Sequence, residues 1–421
     1  MGQFMKGALP TLEELRPAEV QAVPMAETTV PTLLERMISR RARDVGQGFP
    51  RQTSVPTTGM ITLSSGTPDF PTPPHIINAA KQALDGRHTT YTEWAGIPEL
   101  RRAIARKLQQ DNGMTADPDS EILVTTGTQE ALQVICQTFL DPGDEILIHA
   151  PYYDEYRRDA LLAGARLVPV PTKREHDFAV DAEVLAERIT DRTKAIIVVS
   201  PSNPAGAVQP RAALERVAAL AQERDLLIIA DELYEKFVYD GLRQHSIASF
   251  PDMFSRTITI NGFSKCYSMT GFRIGYIAAP AALLRAMLPI KHGMTICAPS
   301  VSQWAAMAAL TGPHEWFGGV LKEYDARRRL WMETLDAGGL TYGRPQGAYY
   351  VYFNVASTGL TGREFSERLR RDYHIILGSG GAIGGDWASY LRGSLAVPSD
   401  TLREGLDRLT QAVERYRRDT K

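Results

Sequence analysis

One recurring unit constrains this chain more than anything else in it: a short apolar run, a break, then an amphipathic stretch. The runs at 122–126, 145–149, 166–170, 195–200, 226–230 and 257–261 have strand length, and several are apolar throughout. Such runs suit strands covered on both faces of a mostly parallel sheet. The stretches at 129–139 and 211–223 have helical spacing with one apolar face. Strand–helix alternation of this kind implies an α/β layered fold.

At 421 residues the chain exceeds one ordinary core, since a domain takes roughly 150 residues. Residues 1–58 read as an N-terminal arm, broken by prolines at 10, 17, 24, 31, 50 and 56, with one short helix at about 31–43. The alternating texture occupies 59–315, which is expected to form a large domain. A long charged helix begins near 315, and the pattern then changes to a strand near 347–353 and helices at 362–373 and 400–418. These suggest a smaller α+β domain over 316–421, on which the arm is expected partly to pack.

Charge and composition exclude several classes. Lys plus Arg number 47 against 49 for Asp plus Glu, a net charge of −2, so no basic excess points to nucleic acid or an anionic membrane. No apolar run has the length of a membrane span, and the N-terminus has no secretory apolar segment. Cys136, Cys266 and Cys297 fit neither a disulfide framework nor a metal set, so no metal and a reducing cytoplasm are expected.

Chemistry collects at the strand ends, where open α/β sheets bind ligands. Gly127-Thr128-Gln129 follows the run at 122–126 and opens a helix, a place that favours an anion such as phosphate. Pro201-Ser202-Asn203-Pro204-Ala205-Gly206 makes a sharp turn that fixes Asn203. Asp231 and Tyr234 follow the run at 226–230. A carboxylate at a buried strand end needs a partner, either an arginine or the protonated ring nitrogen of a cofactor. Ser264-Lys265 follows Gly262-Phe263 after the run at 257–261, with Arg273 eight residues on. Each feature alone has a plain reading, as a turn, a cap or a surface charge. Together they match pyridoxal phosphate, which needs a Schiff-base lysine, an acid at its ring nitrogen, donors to its ring oxygen and a phosphate cup.

The chain resembles the class I/II aminotransferases, fold-type I pyridoxal-phosphate enzymes, from about Ile61 to Ala396. LSSGTPDFPTP, YTEWAGIPELRRAIA, VTTGTQEAL, DPGDEILIHAPYYDEY, SPSNPAGAV, ADELYEKF, NGFSKCYSMTGFRIGY, PQGAYYVYF and YLRGSLA occur in the family's order. The resemblance implies a three-layer α/β/α domain with a mostly parallel sheet plus the smaller α+β domain. It implies pyridoxal phosphate as cofactor, and ping-pong transfer of an amino group between an L-amino acid and a 2-oxo acid. It makes Lys265 the Schiff-base lysine and puts Asp231 at the ring nitrogen. Asn203 and Tyr234 fall at the ring oxygen, and Tyr153 against the ring. Gly127, Thr128, Gln129, Ser264 and Arg273 surround or support the phosphate. Arg392 takes the substrate α-carboxylate, with Gly66 and Asn203 beside it. Tyr91 reaches the phosphate of a neighbouring subunit, so a homodimer is implied.

Departures bear on specificity. Gly378-Ser379-Gly380-Gly381 stands where a Pro-Gly pair is common, and Gln129 stands where some aspartate-specific relatives place a lysine. Trp94, His292 and Thr295 fall in segments that tend to line the pocket, with plain packing as the alternative. A lyase of C–S type, a cyclopropane-forming synthase or an oxidase would use the same scaffold, because reaction type depends on which Cα bond is aligned with the ring. A transcription regulator with an aminotransferase-like sensor needs a DNA-binding module, for which the proline-broken 1–58 offers too little.

Overall fold

The computed structural model describes residues 37–46, 59–379 and 387–419. After a short strand β1 (Ile61–Thr62), the apolar runs become β2 (Ile122–Thr125), β3 (Glu145–Ala150), β4 (Arg166–Pro171), β5 (Thr193–Val199), β6 (Leu227–Asp231) and β7 (Thr257–Gly262), joined by β8 (Gly275–Ala278). They form a seven-stranded sheet in the order β2-β8-β7-β6-β5-β3-β4. Pairing is parallel from β4 through β7, while β8 runs antiparallel to both β7 and β2. All six residues of β3 and all six of β7 are buried, as continuous apolar strands require.

Helices cover both faces. These are α1 (Arg40–Gly46), α2 (Pro74–Asp85), α3 (Pro98–Lys107), α4 (Gly127–Phe139), α5 (Glu155–Leu162), α6 (Ala182–Ala186), α7 (Arg211–Glu223), α8 (Ala281–Thr295) and α9 (Ser300–Thr311). Because strand side chains alternate, Ile146, Ile148, Ile197 and Ile229 pack under α4, α5 and α8. Leu147, Ile196, Val198 and Ile228 pack against α6 and α7 on the other face. Val124 and Tyr276 continue that face under α2, α3 and α9. The α/β layering expected from the runs is therefore present.

The C-terminal part begins with α10 (Trp316–Ala337), then β9 (Thr341–Tyr342), β10 (Tyr350–Asn354), α11 (Gly362–Tyr373), β11 (Ile375–Ile376), β12 (Gly378–Ser379), β13 (Tyr390–Ser394) and α12 (Ser399–Asp419). Its four-stranded sheet has the order β12-β13-β10-β9, and β1 pairs with β11 in a separate ribbon. Thr361 and Glu364 form a capping box that starts α11. The core here is built on Trp331, which is fully buried. Gly393 makes room for it, since a Cβ there would stand 2.5 Å from Trp331 Cη2.

Of the arm, the described piece α1 lies against α5, with Arg41 Nη1 donating to Leu162 O at 3.0 Å. That contact is on the seven-stranded sheet's side; the rest of the arm, expected partly to pack on the C-terminal part, lies outside the described residues. The helix expected at about 31–43 falls largely outside the described residues, and α1 starts at Arg40. Among the described residues no helix is long and apolar enough to cross a membrane.

Candidate active site

Because β2 and β5–β7 are parallel, their carboxyl ends share one edge of the sheet. A cavity of about 470 Å³ opens there. Of the residues expected at the site, Gly66, Thr128, Gln129, Tyr153, Asn203, Asp231, Tyr234, Ser264, Lys265, Arg273 and Arg392 all line it. They come from seven separate stretches of sequence, so the fold gathers what the chain spreads out.

The β2–α4 turn forms one wall. Thr126 makes no side-chain cap on α4, so the helix start offers its backbone amides to an anion in the cavity. Gly127 holds φ at +77°, and a Cβ there would stand 2.5 Å from Arg273 Nη2. Glycine is thus required twice, for the left-handed backbone and for the guanidinium lying on it. Arg273 also has positive φ, and its Nη1 donates to Thr270 O at 3.1 Å. Gln129 turns the other way, with Nε2 donating to Asp159 Oδ2 at 2.7 Å.

Opposite stand an amine and a carboxylate. Lys265 Nζ donates to Gly66 O at 2.6 Å. Burial lowers the Lys265 pKa, and the charges of Arg392 and Arg273 act in the same direction, against Tyr350 and Asp231. Asp231 ends β6, and burial raises its pKa. Hydrogen bonds from the Tyr156 hydroxyl and the Leu233 amide, with the charge of Lys265, act against that rise. Tyr156 OH donates to Asp231 Oδ2 at 2.7 Å and Leu233 N to Oδ1 at 3.1 Å. No arginine pairs with Asp231 among the described residues, which removes the plainer account of this carboxylate.

Arg392, from β13, closes the cavity. Its Nη1 donates to Asn203 Oδ1 at 3.0 Å and its Nη2 to Ser64 O at 3.1 Å. Its Nε is shielded from solvent and has no partner among the described residues. The guanidinium lies over the Tyr350 ring at 4.5 Å, and Tyr350 OH meets Tyr234 OH at 3.1 Å.

Other expected residues lie elsewhere. Tyr91 and Trp94 are exposed, at 78% and 55%. Trp94 rests on His292 with ring centroids 4.5 Å apart, and Thr295 donates to the Glu130 carboxylate. None of these four lines the cavity. Ser379 contributes to β12, while Gly380 and Gly381 of the glycine-rich segment fall outside the described residues. Sequence reasoning missed Tyr156, Tyr350, Thr67, Leu132 and Glu155, all of which line the cavity. The repeated tyrosines of the two motifs PYYDEY and GAYYVY were the available signal for the first two.

Comparison with known proteins follows the same direction. The family described as aminotransferase class I and II matches residues 58–409. An aspartate aminotransferase of Pyrococcus abyssi is 40% identical over 356 residues, 84% of this chain and 92% of the relative. Aromatic-amino-acid aminotransferase 2 of Thermococcus litoralis is 38% identical, over 89% of this chain and 95% of the relative. The crystal structure of an aromatic aminotransferase from Pyrococcus horikoshii superposes with a TM-score of 0.83 at 40% identity, covering 85% of this chain and 96% of that one. The residues present fit the group such enzymes use: an uncapped helix start with Arg273 laid on it suits a phosphate, and a desolvated amine faces a buried carboxylate. This chain belongs to the class I and II aminotransferases and is a pyridoxal-phosphate enzyme that moves amino groups between amino acids and 2-oxo acids.

Proposed function

We propose that this aminotransferase works through Lys265 and Asp231, in a ping-pong cycle that releases one 2-oxo acid before a second enters. The observation that carries the reading is a desolvated amine and a buried carboxylate facing one cavity. Lys265 would hold pyridoxal phosphate covalently, with Asp231 at its ring nitrogen. Asn203 and Tyr234 would meet its ring oxygen and Tyr153 its ring face. Gly127, Thr128, Gln129, Ser264 and Arg273 would surround its phosphate. When bound, the cofactor supplies a carbonyl that condenses with amines and a ring that takes up the electrons of the Cα–H bond.

The chain's own residues do the rest. The depressed pKa of Lys265 makes its free amine available to take the proton from substrate Cα and to return it. Asp231, charged, retains a proton at the ring nitrogen. Arg392 clamps the α-carboxylate, for which its planar guanidinium fork is suited. Gly66 flanks it, and a Cβ at Gly66 would sit 3.4 Å from Tyr350 OH.

The relatives are named for aspartate and for aromatic donors, and we favour the aromatic class for this chain. Lys265, Arg273 and Arg392 are the cations of the described lining, and each already has an assigned partner. Gln129 is tied to Asp159, so among the described lining residues no spare cation awaits a second substrate carboxylate. Leu132, Tyr153 and Tyr156 instead offer apolar walls. A donor panel tests this: kcat/KM for phenylalanine or tyrosine should exceed that for aspartate, and the reverse order would overturn it.

We further assign a homodimer. Tyr91, Trp94 and Met294 leave large side chains exposed at 78%, 55% and 43%. A second copy would cover them and carry Tyr91 to its neighbour's phosphate site. The division into 59–315 and 316–421 is supported by the separate sheets, and three unpaired thiols support a reducing cytoplasm.

A further inference from the structure

We propose that Tyr156 is a positioning residue for Asp231: its hydroxyl fixes this carboxylate and keeps it charged, and its ring sets the face presented by Tyr153. The inference rests on the assignment of Asp231 to the cofactor's ring nitrogen.

Tyr156 lies in the first turn of α5, far from β6 in sequence. Its hydroxyl donates to Asp231 Oδ2 at 2.7 Å. The side chain is 4% exposed, so water does not compete for the bond. The same residue holds Tyr153 twice. The two rings meet edge to face with centroids 6.4 Å apart at 89°, and Tyr156 N donates to Tyr153 O at 3.2 Å. One side chain thus fixes both the carboxylate and the aromatic ring expected to contact the cofactor.

The choice of a phenol has a physical reason. A carboxylate in an apolar wall tends to take up a proton, and a protonated carboxyl no longer attracts a cationic ring nitrogen. Donors that bond only the charged form oppose this, and Asp231 has two, Tyr156 OH and Leu233 N. A carboxylate has about four acceptor positions, so room remains for a third partner. An arginine or lysine in place of Tyr156 would also donate, but it would cancel the charge that Asp231 must offer. A phenol adds a donor without adding charge. Burial holds the Tyr156 hydroxyl protonated well above the ordinary tyrosine range, so the bond persists wherever Asp231 is charged. Among the described residues, the titratable groups that face Asp231 are Tyr156 from α5, Tyr234 from the turn after β6 and Lys265 from the turn after β7. Of these only Lys265 can take a positive charge.

The test compares wild type, Tyr156→Phe and Asp231→Asn. The dissociation constant of pyridoxal phosphate is measured by diluting each holoenzyme across the acid and neutral range, alongside thermal unfolding. Asp231→Asn should weaken binding throughout. Tyr156→Phe keeps the ring contact and loses only the hydroxyl. It should weaken binding about tenfold on the acid side and move the acid limb of the profile up by about one pH unit, the size expected for a hydrogen bond to a charged group. A role in packing alone would weaken binding equally at every pH. An acid limb unmoved in Tyr156→Phe overturns the proposal. Wild-type binding in Asp231→Asn overturns the assignment of Asp231 itself, and so separates the two failures.

Discussion

Lys265 reaches the cavity because β7 is buried to its last residue and then breaks at a glycine, which leaves the next turn at the sheet edge. Burial and two neighbouring guanidinium groups lower its pKa, which is what an amine needs to act as a base below the ordinary lysine range. Lys265→Ala should therefore abolish turnover and the visible absorbance of the bound cofactor while the protein stays folded, as thermal unfolding would show. Retained turnover would contradict the assignment. Arg392→Lys keeps the charge but loses the fork, and kcat/KM should fall on the order of a hundredfold, about 2–3 kcal/mol, chiefly through KM for the amino donor. Residues such as Lys265, Asp231 and Asn203 were legible because each directly follows an apolar run. Tyr156 was not, because it acts from a helix against a strand end 75 positions away, and nothing in local sequence shows that pairing. Trp94 was expected to line the pocket, but it rests on His292 at the surface.

Elements hold these residues in place. Gly127→Ala would force an L-residue to φ +77° and push its Cβ into the Arg273 guanidinium. The guanidinium can move, so the fold should survive while cofactor affinity drops about tenfold or more, measured by equilibrium dialysis. At the opposite end of the sheet, Glu145 opens β3 and accepts hydrogen bonds from Arg166, Arg192 and Thr190. Burial opposes its charge, but those donors outweigh it and bring the carboxyl from the usual 4.5 to about 2. The native state thus binds its proton later than the unfolded chain does. The stabilisation is fully present above pH 4.5 and is lost as the pH falls towards 2. Glu145→Gln should lower the melting temperature at neutral pH, with a deficit that narrows over that acid window. A deficit constant with pH would argue against an ionic origin. Most strands of the large sheet could be read from their apolar runs. β8 could not: four residues that close after the Arg273 turn resemble a loop, and only pairing with β2 and β7 makes them a strand. Helices α2, α3, α8 and α9 also escaped, and α8 carries Pro289 within it.

At the scale of the whole molecule, the site draws on both sheets. Arg392 comes from β13 and Lys265 from the end of β7, and Asn203 and Tyr350 link the two sides. The core around Trp331 thus supports the arginine proposed to hold the substrate carboxylate as well as the C-terminal sheet. Trp331→Ala should destabilise the protein by about 3–5 kcal/mol, read in denaturant unfolding. The near balance of charge in the chain is consistent with work done by a few local charges, not by a global field. What most directly tests the central claim is one turnover without acceptor: holoenzyme is mixed with an L-amino acid donor alone, and visible absorbance, 2-oxo acid and ammonia are followed together. One 2-oxo acid per site, loss of the visible band and no ammonia is the predicted result, absent in Lys265→Ala. Continuous release of ammonia with the visible band intact would contradict it.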